Sequence, residues 1–364
     1  MRILIVNAGS SSLKLSVIGD GNATEGEVNL PAARGQFERS AVAGAIARVG
    51  GESAGAVGHR VVHGGRVFIE PARLDAGVRK KLDDLVDLAP LHQPKSLAGI
   101  DAVSAVLPGV PAVACFDTAF HAGMPAAAAT YALPPEWRKR WDLRRYGFHG
   151  LSHGYATRRV TELLGRVPAR LVVCHLGSGA SLCAVAGGRS VDTTMGFTPL
   201  EGLVMGTRSG TVDPGLVLWL AEHAHTPPAE LAATLEWRSG LAGLAGTADM
   251  REVLARAAAG DGAAELAVEV YLHRLRGLIG SMAAALGGLD TLVFTGGVGE
   301  NAAEIRARAA GGLAFLGAAL DPGRNGAARG DTDITAPGAA VRAFVIAARE
   351  DIEIARQVRE VLCR

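Results

Sequence analysis

A strand, a Gly/Ser turn and a second strand occur twice along the chain, once at its beginning and once near its middle. The segment IVNAGSSSLKLSVI occupies residues 5–18, and VCHLGSGASLCAVA occupies residues 173–186. Both contain apolar runs that are typical of buried strands, and Gly9-Ser10 and Gly177-Ser178 fall at equivalent turn positions. We interpret the repetition as the trace of a duplication, in which each half of the chain begins with the same supersecondary unit.

A third apolar strand, at residues 291–295, runs into a glycine-rich turn, GGVGEN, and a helical pattern follows from Ala302. Apolar residues at helical spacing predict further helices around residues 78–86, over residues 264–286 and over residues 352–362. Strands that alternate with helices indicate the α/β class. A chain of 364 residues is long enough for about two domains.

The charge and cysteine content of the chain limit the kinds of molecule that it can bind and the compartment in which we expect it. Lysine and arginine total 37 against 36 aspartates and glutamates, so the net charge is +1 and there is no basic stripe for nucleic acid or an anionic membrane. The 4 cysteines show no C-x-x-C pairing, and the N-terminal apolar run is too short for a signal peptide. We therefore expect a small-molecule partner, no nucleic acid or membrane partner, and a cytoplasmic location.

The glycine-rich sequence after the third strand has two functional interpretations, and a plain loop that binds no ligand is the alternative to both. Residues 297–302, GVGENA, fit the G-x-G-x-x-A fingerprint of dinucleotide-binding proteins, and Asp321 follows about 20 residues later. The pattern lies too close to the C-terminus for the rest of a two-half dinucleotide domain. A mononucleotide bound to backbone amides of the glycine turns fits equally well, although the chain has no G-x-x-x-x-G-K-[ST] motif to hold its phosphates.

Three charged residues are candidates for chemistry. Asp117 follows the apolar run at residues 111–115 and so lies at the end of a predicted strand, where α/β enzymes place reacting groups. Arg60 and Arg208 lie among small residues, and the planar guanidinium suits carboxylate and phosphate oxygens. A capping role for the aspartate and structural ion pairs for the arginines remain alternatives.

Two pairs of histidines, His59/His63 and His149/His153, are spaced four residues apart, as zinc ligands on a helix would be. Neither pair has the glutamate that metalloproteases carry after the first histidine. We favour hydrogen-bonding roles in a cleft for His149 and His92.

Taken together, the ordered segments of the chain resemble the acetate and propionate kinase family. The resemblance runs from residue 7 to residue 350. The segments that carry it are NAGSSSLK at 7–14, GHRVVHGG at 58–65, PLH at 90–92, FDTAFH at 116–121, YGFHGLSH at 146–153, HLGSG at 175–179, MGFTPLEGLVMGTRSG at 195–210 and TGGVGEN at 295–301. So many matches in one order are far more specific than a single glycine loop.

The resemblance implies a duplicated ribonuclease H-like fold of the actin, hexokinase and Hsp70 type, with two domains and a central cleft. The N-terminal domain would comprise residues 1–120, completed by the C-terminal helix at residues 351–364. The second domain would comprise residues 121–350 and carry most of the nucleotide site. A homodimer is also implied.

The resemblance further implies an activity, namely the reversible transfer of the γ-phosphoryl group of ATP to acetate. Acetyl phosphate and ADP would form by direct in-line attack, with Mg²⁺ or Mn²⁺ as cofactor. A propionate or other short-chain carboxylate kinase is an alternative within the same fold. A nucleotide-dependent switch of the Hsp70 or actin type is an alternative of another class.

Site residues are implied position by position. Those implied for catalysis are Asp117, His149, Arg208 and Arg60. Those implied for the carboxylate substrate are Arg60, Val62, Leu91, His92, Phe148 and Pro199. Those implied for the nucleotide are Ser12, Lys14, His175, Leu176, Gly177, Ser178, Gly179, Asp249, Met250, Arg251, Gly297, Val298, Gly299, Glu300 and Asn301. Those implied as ligands of Mg²⁺ are Asn7 and Glu350.

The sequence departs from the usual pattern of the family at three points. Ser178 stands where asparagine is usual, Ala122-Gly123 stands where Gln-Thr is common, and the chain is shorter than is typical. These departures bear on nucleotide preference and loop geometry more than on the reaction.

Overall fold

The structure, a computed structural model, describes residues 1–8, 12–31, 37–90 and 92–363. The chain divides into two compact units. Unit 1 consists of Met1–Ala122, Phe148–Tyr155 and Arg349–Arg364, and unit 2 consists of Gly123–Gly147 and Ala156–Ala348. The domain boundaries inferred from the sequence, at residues 120 and 350, stay a prediction.

Twelve strands occur in the described part of the chain, six in each unit. Those of unit 1 are β1 (Ile3–Ala8), β2 (Ser12–Ile18), β3 (Thr24–Pro31), β4 (Ala56–Val61), β5 (Ala72–Arg73) and β6 (Ala112–Phe116). Those of unit 2 are β7 (Arg170–Leu176), β8 (Ala180–Ala186), β9 (Arg189–Thr193), β10 (Thr291–Thr295), β11 (Thr332–Asp333) and β12 (Arg342–Val345).

The α-helices before β7 are α1 (Arg39–Arg48), α2 (Ala76–Asp83), α3 (Gln93–Val106), α4 (Ala126–Ala129), α5 (Pro135–Trp141) and α6 (Gly150–Leu164). Those after β9 are α7 (Pro214–His223), α8 (Pro228–Trp237), α9 (Gly240–Ala245), α10 (Met250–Ala258), α11 (Gly262–Leu286), α12 (Gly296–Asn301), α13 (Ala303–Gly311), α14 (Pro322–Ala327) and α15 (Glu350–Leu362). None of the helices described here has the length and apolar character to cross a membrane.

Each unit contains a six-stranded sheet, and the two sheets have the same topology. The strand order is β3-β2-β1-β4-β6-β5 in unit 1 and β9-β8-β7-β10-β12-β11 in unit 2. In both, the first three strands are antiparallel, the first, fourth and sixth run parallel, and the fifth lies antiparallel at the edge. A register shift between the second and third strands also recurs, at Val17/Ile18 and at Ala184/Val185. The predicted α/β class and the duplication are therefore confirmed.

Strand β1 shows why an unbroken apolar run predicted a central strand. Successive side chains point to opposite faces of a strand. Leu4 and Val6 pack in a cluster that includes residues of α1 and α3, whereas Ile3 and Ile5 pack against residues of α15. A strand that is covered on both faces has no solvent-facing positions and so needs no polar alternation.

Helix α15 lies close against β4 because position 58 is glycine. A Cβ atom at Gly58 would lie 2.5 Å from Cγ2 of Ile354 and 2.8 Å from Cγ2 of Val358, too close for any side chain. The close approach fixes the start of α15, and with it Glu350, against the sheet of unit 1.

The turn predicted at residues 296–301 was wrong, since these residues form the short helix α12. Only Gly296 has turn geometry, with φ of 77°, and a Cβ atom there would lie 2.8 Å from the carbonyl oxygen of Leu176. The chain then closes a helical turn, in which the amide of Ala302 donates to the carbonyl of Val298 at 2.9 Å. The predicted strand at residues 291–295 and the predicted long helix are confirmed as β10 and α11.

Candidate functional site

Four polar side chains meet near the edge at which the parallel strands of unit 1 end. Nε of Arg60 on β4 donates to both carboxylate oxygens of Asp117 at 3.1 Å, and its Nη2 donates to Oδ2 at 2.6 Å. Its Nη1 donates to Oδ1 of Asn7 on β1 at 3.1 Å. Glu350 places Oε2 at 3.7 Å from Nε of the same arginine. We call these four residues the Arg60 cluster.

The electrostatics of the Arg60 cluster favour a bound cation. Burial opposes the charge of Arg60, but the carboxylates of Asp117 and Glu350 outweigh that effect and raise the pKa of Arg60 above its ordinary value. Asp117 is only 1% exposed, and its carboxylate accepts three hydrogen bonds from the guanidinium. Two carboxylates against one guanidinium leave a formal charge of −1, and amide and carboxylate oxygens are the ligands that Mg²⁺ prefers. The donor set therefore fits a magnesium ion.

The segment around His149 is held against the Arg60 cluster by its backbone. The amide of Gly150 donates to the carbonyl of Asp117 at 2.8 Å, and Nε2 of His121 lies 3.0 Å from the carbonyl of Phe148. A Cβ atom at Gly150 would lie 2.2 Å from the Asp117 oxygen, so only glycine fits. His149 itself has φ of 57°, a left-handed conformation that costs a non-glycine residue about 1–2 kcal/mol. Such local strain is typical of functional positions.

The residues implied for the carboxylate substrate fall in both units. In unit 1, Val62 and His92 are half-buried and Phe148 is buried, and they are linked through His63. The backbone of His63 exchanges two hydrogen bonds with the side chain of Gln93, at 3.2 and 3.1 Å, and its ring lies edge-on to Phe148 at 5.6 Å. Pro199 lies in unit 2. Leu91 lies outside the described residues.

In unit 2, Arg208 is held by three protein groups. Its Nε lies 2.9 Å from Oε1 of Glu236, and its Nη1 donates to the carbonyl of Pro199 at 3.1 Å. Sδ of Met205 accepts from the same Nη1 at 3.5 Å. The side chain of Arg208 is 18% exposed, so a ligand can reach part of it.

The β7–β8 hairpin provides an exposed backbone turn in unit 2. The amide of Gly177 donates to the carbonyl of Gly179 at 3.0 Å, and Ser178 at the tip is exposed. The carbonyl of Ser178 accepts from the amide of Gly206 at 3.0 Å. His175, at the end of β7, is half-buried, whereas Leu176 is buried and can offer a ligand only its backbone.

Helix α12 lies beside this hairpin, and the side chain of a buried arginine binds carbonyl groups of the helix. A Cβ atom added to Gly177 would come within 4.0 Å of the amide of Gly297, which is exposed. Arg306 is 1% exposed, and its Nη1 donates to the carbonyls of Gly299 and Glu300 at 2.9 and 2.8 Å. A cation at a helix C-terminus is favourable.

The remaining members of the implied nucleotide set differ in exposure. Asp249 caps α10 and is ion-paired with Arg251, whose side chain is 87% exposed, while Met250 is buried. The exposed side chain of Asn301 donates to the carbonyl of Gly297 at 2.8 Å, and the carboxylate of Glu300 accepts from the amide of Ala348 at 3.0 Å. Val298 is half-buried. In unit 1, Ser12 begins β2, and Lys14 forms an ion pair with Glu27 at 3.0 Å.

Comparison with known proteins decides the family. The profile of the Acetokinase family matches residues 46–356. The chain belongs to the acetokinase family. An acetate kinase from Synechococcus sp. is 44% identical over 402 aligned positions, which cover 100% of this chain and 99% of that protein.

Solved structures of the acetokinase family agree in fold. The acetate kinase of Porphyromonas gingivalis superposes with a TM-score of 0.92 at 34% identity, and each chain is covered to 99%. The propionate kinase of Francisella tularensis gives 0.92 at 36% identity, again with 99% of each chain covered. As a member of this family the chain is an ATP-using phosphotransferase with a carboxylate acceptor, which favours the mononucleotide interpretation of the glycine turns over the dinucleotide one.

Three residues that hold the candidate site were not found by sequence reasoning. Gln93 and Glu236 contact residues distant in the sequence, namely His63 and Arg208, whereas Arg306 contacts Gly299 on the neighbouring helix α12. Each lies in or beside a helix with no motif of its own. The sequence offered one indication of these residues, namely a polar residue at a helical position that the apolar periodicity assigns to the buried face. That indication is weak when periodicity is the only evidence.

Proposed function

We propose that this chain catalyses the reversible, Mg²⁺-dependent transfer of the γ-phosphoryl group of ATP to acetate, giving acetyl phosphate and ADP, in the cytoplasm. The observation that carries the proposal is the Arg60 cluster, in which a guanidinium and oxygen ligands suited to Mg²⁺ meet at one sheet edge. The relatives from Synechococcus and P. gingivalis, which are named acetate kinases, support it.

The chemistry needs positive charge rather than a general base. A carboxylate with a pKa near 4 to 5 is already ionised at neutral pH and is itself the nucleophile. The obstacle is the approach of one anion to another, because the moving phosphoryl group spreads negative charge over three equatorial oxygens. We assign Arg208 and His149 to these oxygens and Arg60 to the substrate carboxylate. Because every nitrogen of Arg60 donates to a protein oxygen, the substrate would share one of these donors.

Residues of unit 1 would hold the metal ion. Asn7, Asp117 and Glu350 supply oxygen atoms, and Mg²⁺ ordinarily keeps several waters and takes its other ligands from phosphate. When bound, the ion neutralises charge on the phosphate oxygens. Asp117 has a second function in this proposal, since its carboxylate fixes the plane of the Arg60 guanidinium through three hydrogen bonds.

Backbone groups of unit 2 would hold the nucleotide. We assign the phosphates to the turn at residues 177–179, together with Ser12 and Lys14 of unit 1, because amides in a glycine turn bind anions without a side chain. The adenosine part is assigned to residues 249–251 and to α12. Buried Arg306 keeps the glycines of α12 in place for this contact.

The size of the acceptor is the finer part of the proposal. Acetate is favoured by the names of the two acetate kinases, whereas the F. tularensis relative is a propionate kinase. One methylene in an apolar pocket changes binding by only about 1–3 kcal/mol. An apolar pocket for the acceptor's alkyl group would therefore show a preference rather than an absolute choice.

The test is an assay with ATP, Mg²⁺ and formate, acetate, propionate or butyrate, in which the acyl phosphate is trapped as its hydroxamate. We expect product from acetate with the largest kcat/KM, less from propionate and little from butyrate. Product with propionate ahead of acetate would support the alternative substrate. No product from any acid, with a folded protein, would contradict the proposal.

We also propose a homodimer that uses helix α7. None of the residues of α7 is buried, even though the helix carries large apolar side chains. Leu216, Leu218 and Trp219 are 48%, 63% and 53% exposed. Leu216 and Trp219 are three residues apart and so share one face of the helix. An apolar face of this kind is typical of an interface, and a second copy is the partner that the family resemblance implies.

The double variant Leu216→Glu/Trp219→Glu is therefore expected to convert a dimer to a monomer, as measured by light scattering after gel filtration. Two carboxylates in an apolar interface lose hydration without gaining partners. The control is Phe315→Glu, which adds one carboxylate at a 78% exposed aromatic residue elsewhere in unit 2. A monomeric wild-type protein, or an unchanged mass for the double variant, would contradict the assignment of α7.

A further inference from the structure

We propose that Glu236 is a positioning residue for Arg208, which fixes the guanidinium plane and leaves Nη2 for the transferred phosphoryl group. This inference rests on the role proposed above for Arg208 and deepens it. Glu236 is the second-last residue of α8 and is 6% exposed, an unusual place for a carboxylate unless it is paired.

The contacts of Arg208 are divided between its nitrogens. Nε faces the carboxylate of Glu236 at 2.9 Å, and Nη1 donates to Pro199 and Met205. Nη2 makes no hydrogen bond to any residue in the described part of the chain. The ion pair at Nε and the two contacts of Nη1 restrict the orientations open to the planar guanidinium, and with them the direction in which the third nitrogen points.

The backbones of the two residues are held together without the ion pair. The amide of Ser209 donates to the carbonyl of Leu235 at 3.1 Å, and Oγ1 of Thr207 donates to the carbonyl of Glu236 at 2.9 Å. Gly240, with φ of 61°, passes so close that a Cβ atom would lie 2.6 Å from the carbonyl of Arg208. Removing the carboxylate should therefore release the Arg208 side chain and leave the loop in place.

Positioning and charge compensation predict different effects of removing the carboxylate on ATP affinity and on turnover. If the carboxylate of Glu236 only compensated part of the positive charge of Arg208, removing the carboxylate would increase the attraction of Arg208 for phosphate. ATP would then bind more tightly, and turnover would not fall. If it orients Arg208, its removal leaves ground-state binding similar and lowers the rate, because a displacement of about 1 Å in a reacting group can cost on the order of 100-fold.

The experiment compares Glu236→Gln, an isostere without charge, with Glu236→Asp, Arg208→Ala and the double variant Arg208→Ala/Glu236→Gln. For Glu236→Gln we expect kcat to fall by about 10-fold to 100-fold, with KM for ATP and for acetate within about threefold of wild type. The double variant should be no slower than Arg208→Ala, because both changes remove one function. Glu236→Asp should recover part of the lost rate.

The control is Asp290→Asn, which removes another arginine–carboxylate pair in unit 2. Nη2 of Arg170 lies 2.6 Å from Oδ1 of Asp290, which directly precedes β10 and so lies at the opposite end of that strand from Gly296. We expect an unchanged kcat for this variant. Melting temperatures of all variants show whether a rate loss follows unfolding.

The possible failures are distinguishable. If Arg208→Ala keeps wild-type turnover, the proposed role of Arg208 is wrong. If Arg208→Ala is slow but Glu236→Gln keeps its kcat, only the positioning inference is overturned. The inference is also overturned if the losses in kcat of the two single variants multiply in full in the double variant. It is overturned as well if the loss in kcat of Glu236→Gln disappears when the assay is run well below the melting temperature of that variant.

Discussion

The Arg208→Ala variant is expected to lose turnover by on the order of 1,000-fold or more, as arginines that contact the moving phosphoryl group do in other phosphoryl transferases. The charge on the equatorial oxygens is greatest in the transition state, so kcat should fall much more than KM for ATP rises. Initial rates in the hydroxamate assay at saturating acetate and ATP measure the loss.

Stability must be followed in the same variant because Glu236 would lose its cation. Removing one partner of a buried ion pair costs about 3–5 kcal/mol, and the 18% exposure of Arg208 places the expected cost below that range. The double variant Arg208→Ala/Glu236→Gln should regain much of this stability and none of the activity. Near wild-type turnover in folded Arg208→Ala would show that Arg208 is only a structural ion-pair partner.

The Arg60→Ala variant is expected to lose both activity and stability. Activity should fall by on the order of 1,000-fold, because the substrate carboxylate loses its cation and Asn7 loses a hydrogen-bond donor. The fold should lose about 3 kcal/mol or more, because Asp117 is 1% exposed and its buried carboxylate would lose the three hydrogen bonds from the guanidinium. Denaturant unfolding measures the second effect.

Two companion variants separate the effects at Arg60. Arg60→Lys keeps the charge but cannot bind both carboxylate oxygens of Asp117 in a plane, so it should be more stable than Arg60→Ala and still slow. The double variant Arg60→Met/Asp117→Leu replaces the pair by apolar side chains and should recover stability without activity. An active Arg60→Ala enzyme, or an Arg60→Met/Asp117→Leu enzyme with wild-type turnover, would contradict the assignment.

Much of the fold could be predicted from local patterns. Strands β1, β7 and β10 are buried on both faces. Burial on both faces produces an unbroken apolar run, which can be recognised within five or six residues of sequence. The duplication was visible in the Gly/Ser turns and recurs in strand order and in the register shift of the second hairpin. Helix α12 was missed because its three glycines are typical of a turn, whereas Gly296 alone turns and packing against Leu176 and Arg306 keeps the remainder helical.

The sequence by itself determined which residue types are available to the site. Motifs placed Arg60, Asp117 and Arg208 at strand ends and in glycine-rich loops, since those local conformations depend on residues nearby in the chain. Only the tertiary structure decided their partners. Parallel pairing of β1, β4 and β6 brings Asn7, Arg60 and Asp117 to one edge, and the close packing of α15 on Gly58 adds Glu350. The contact of Glu236 with Arg208 depends on how α8 packs, and no short-range pattern encodes a distance between segments separated along the chain.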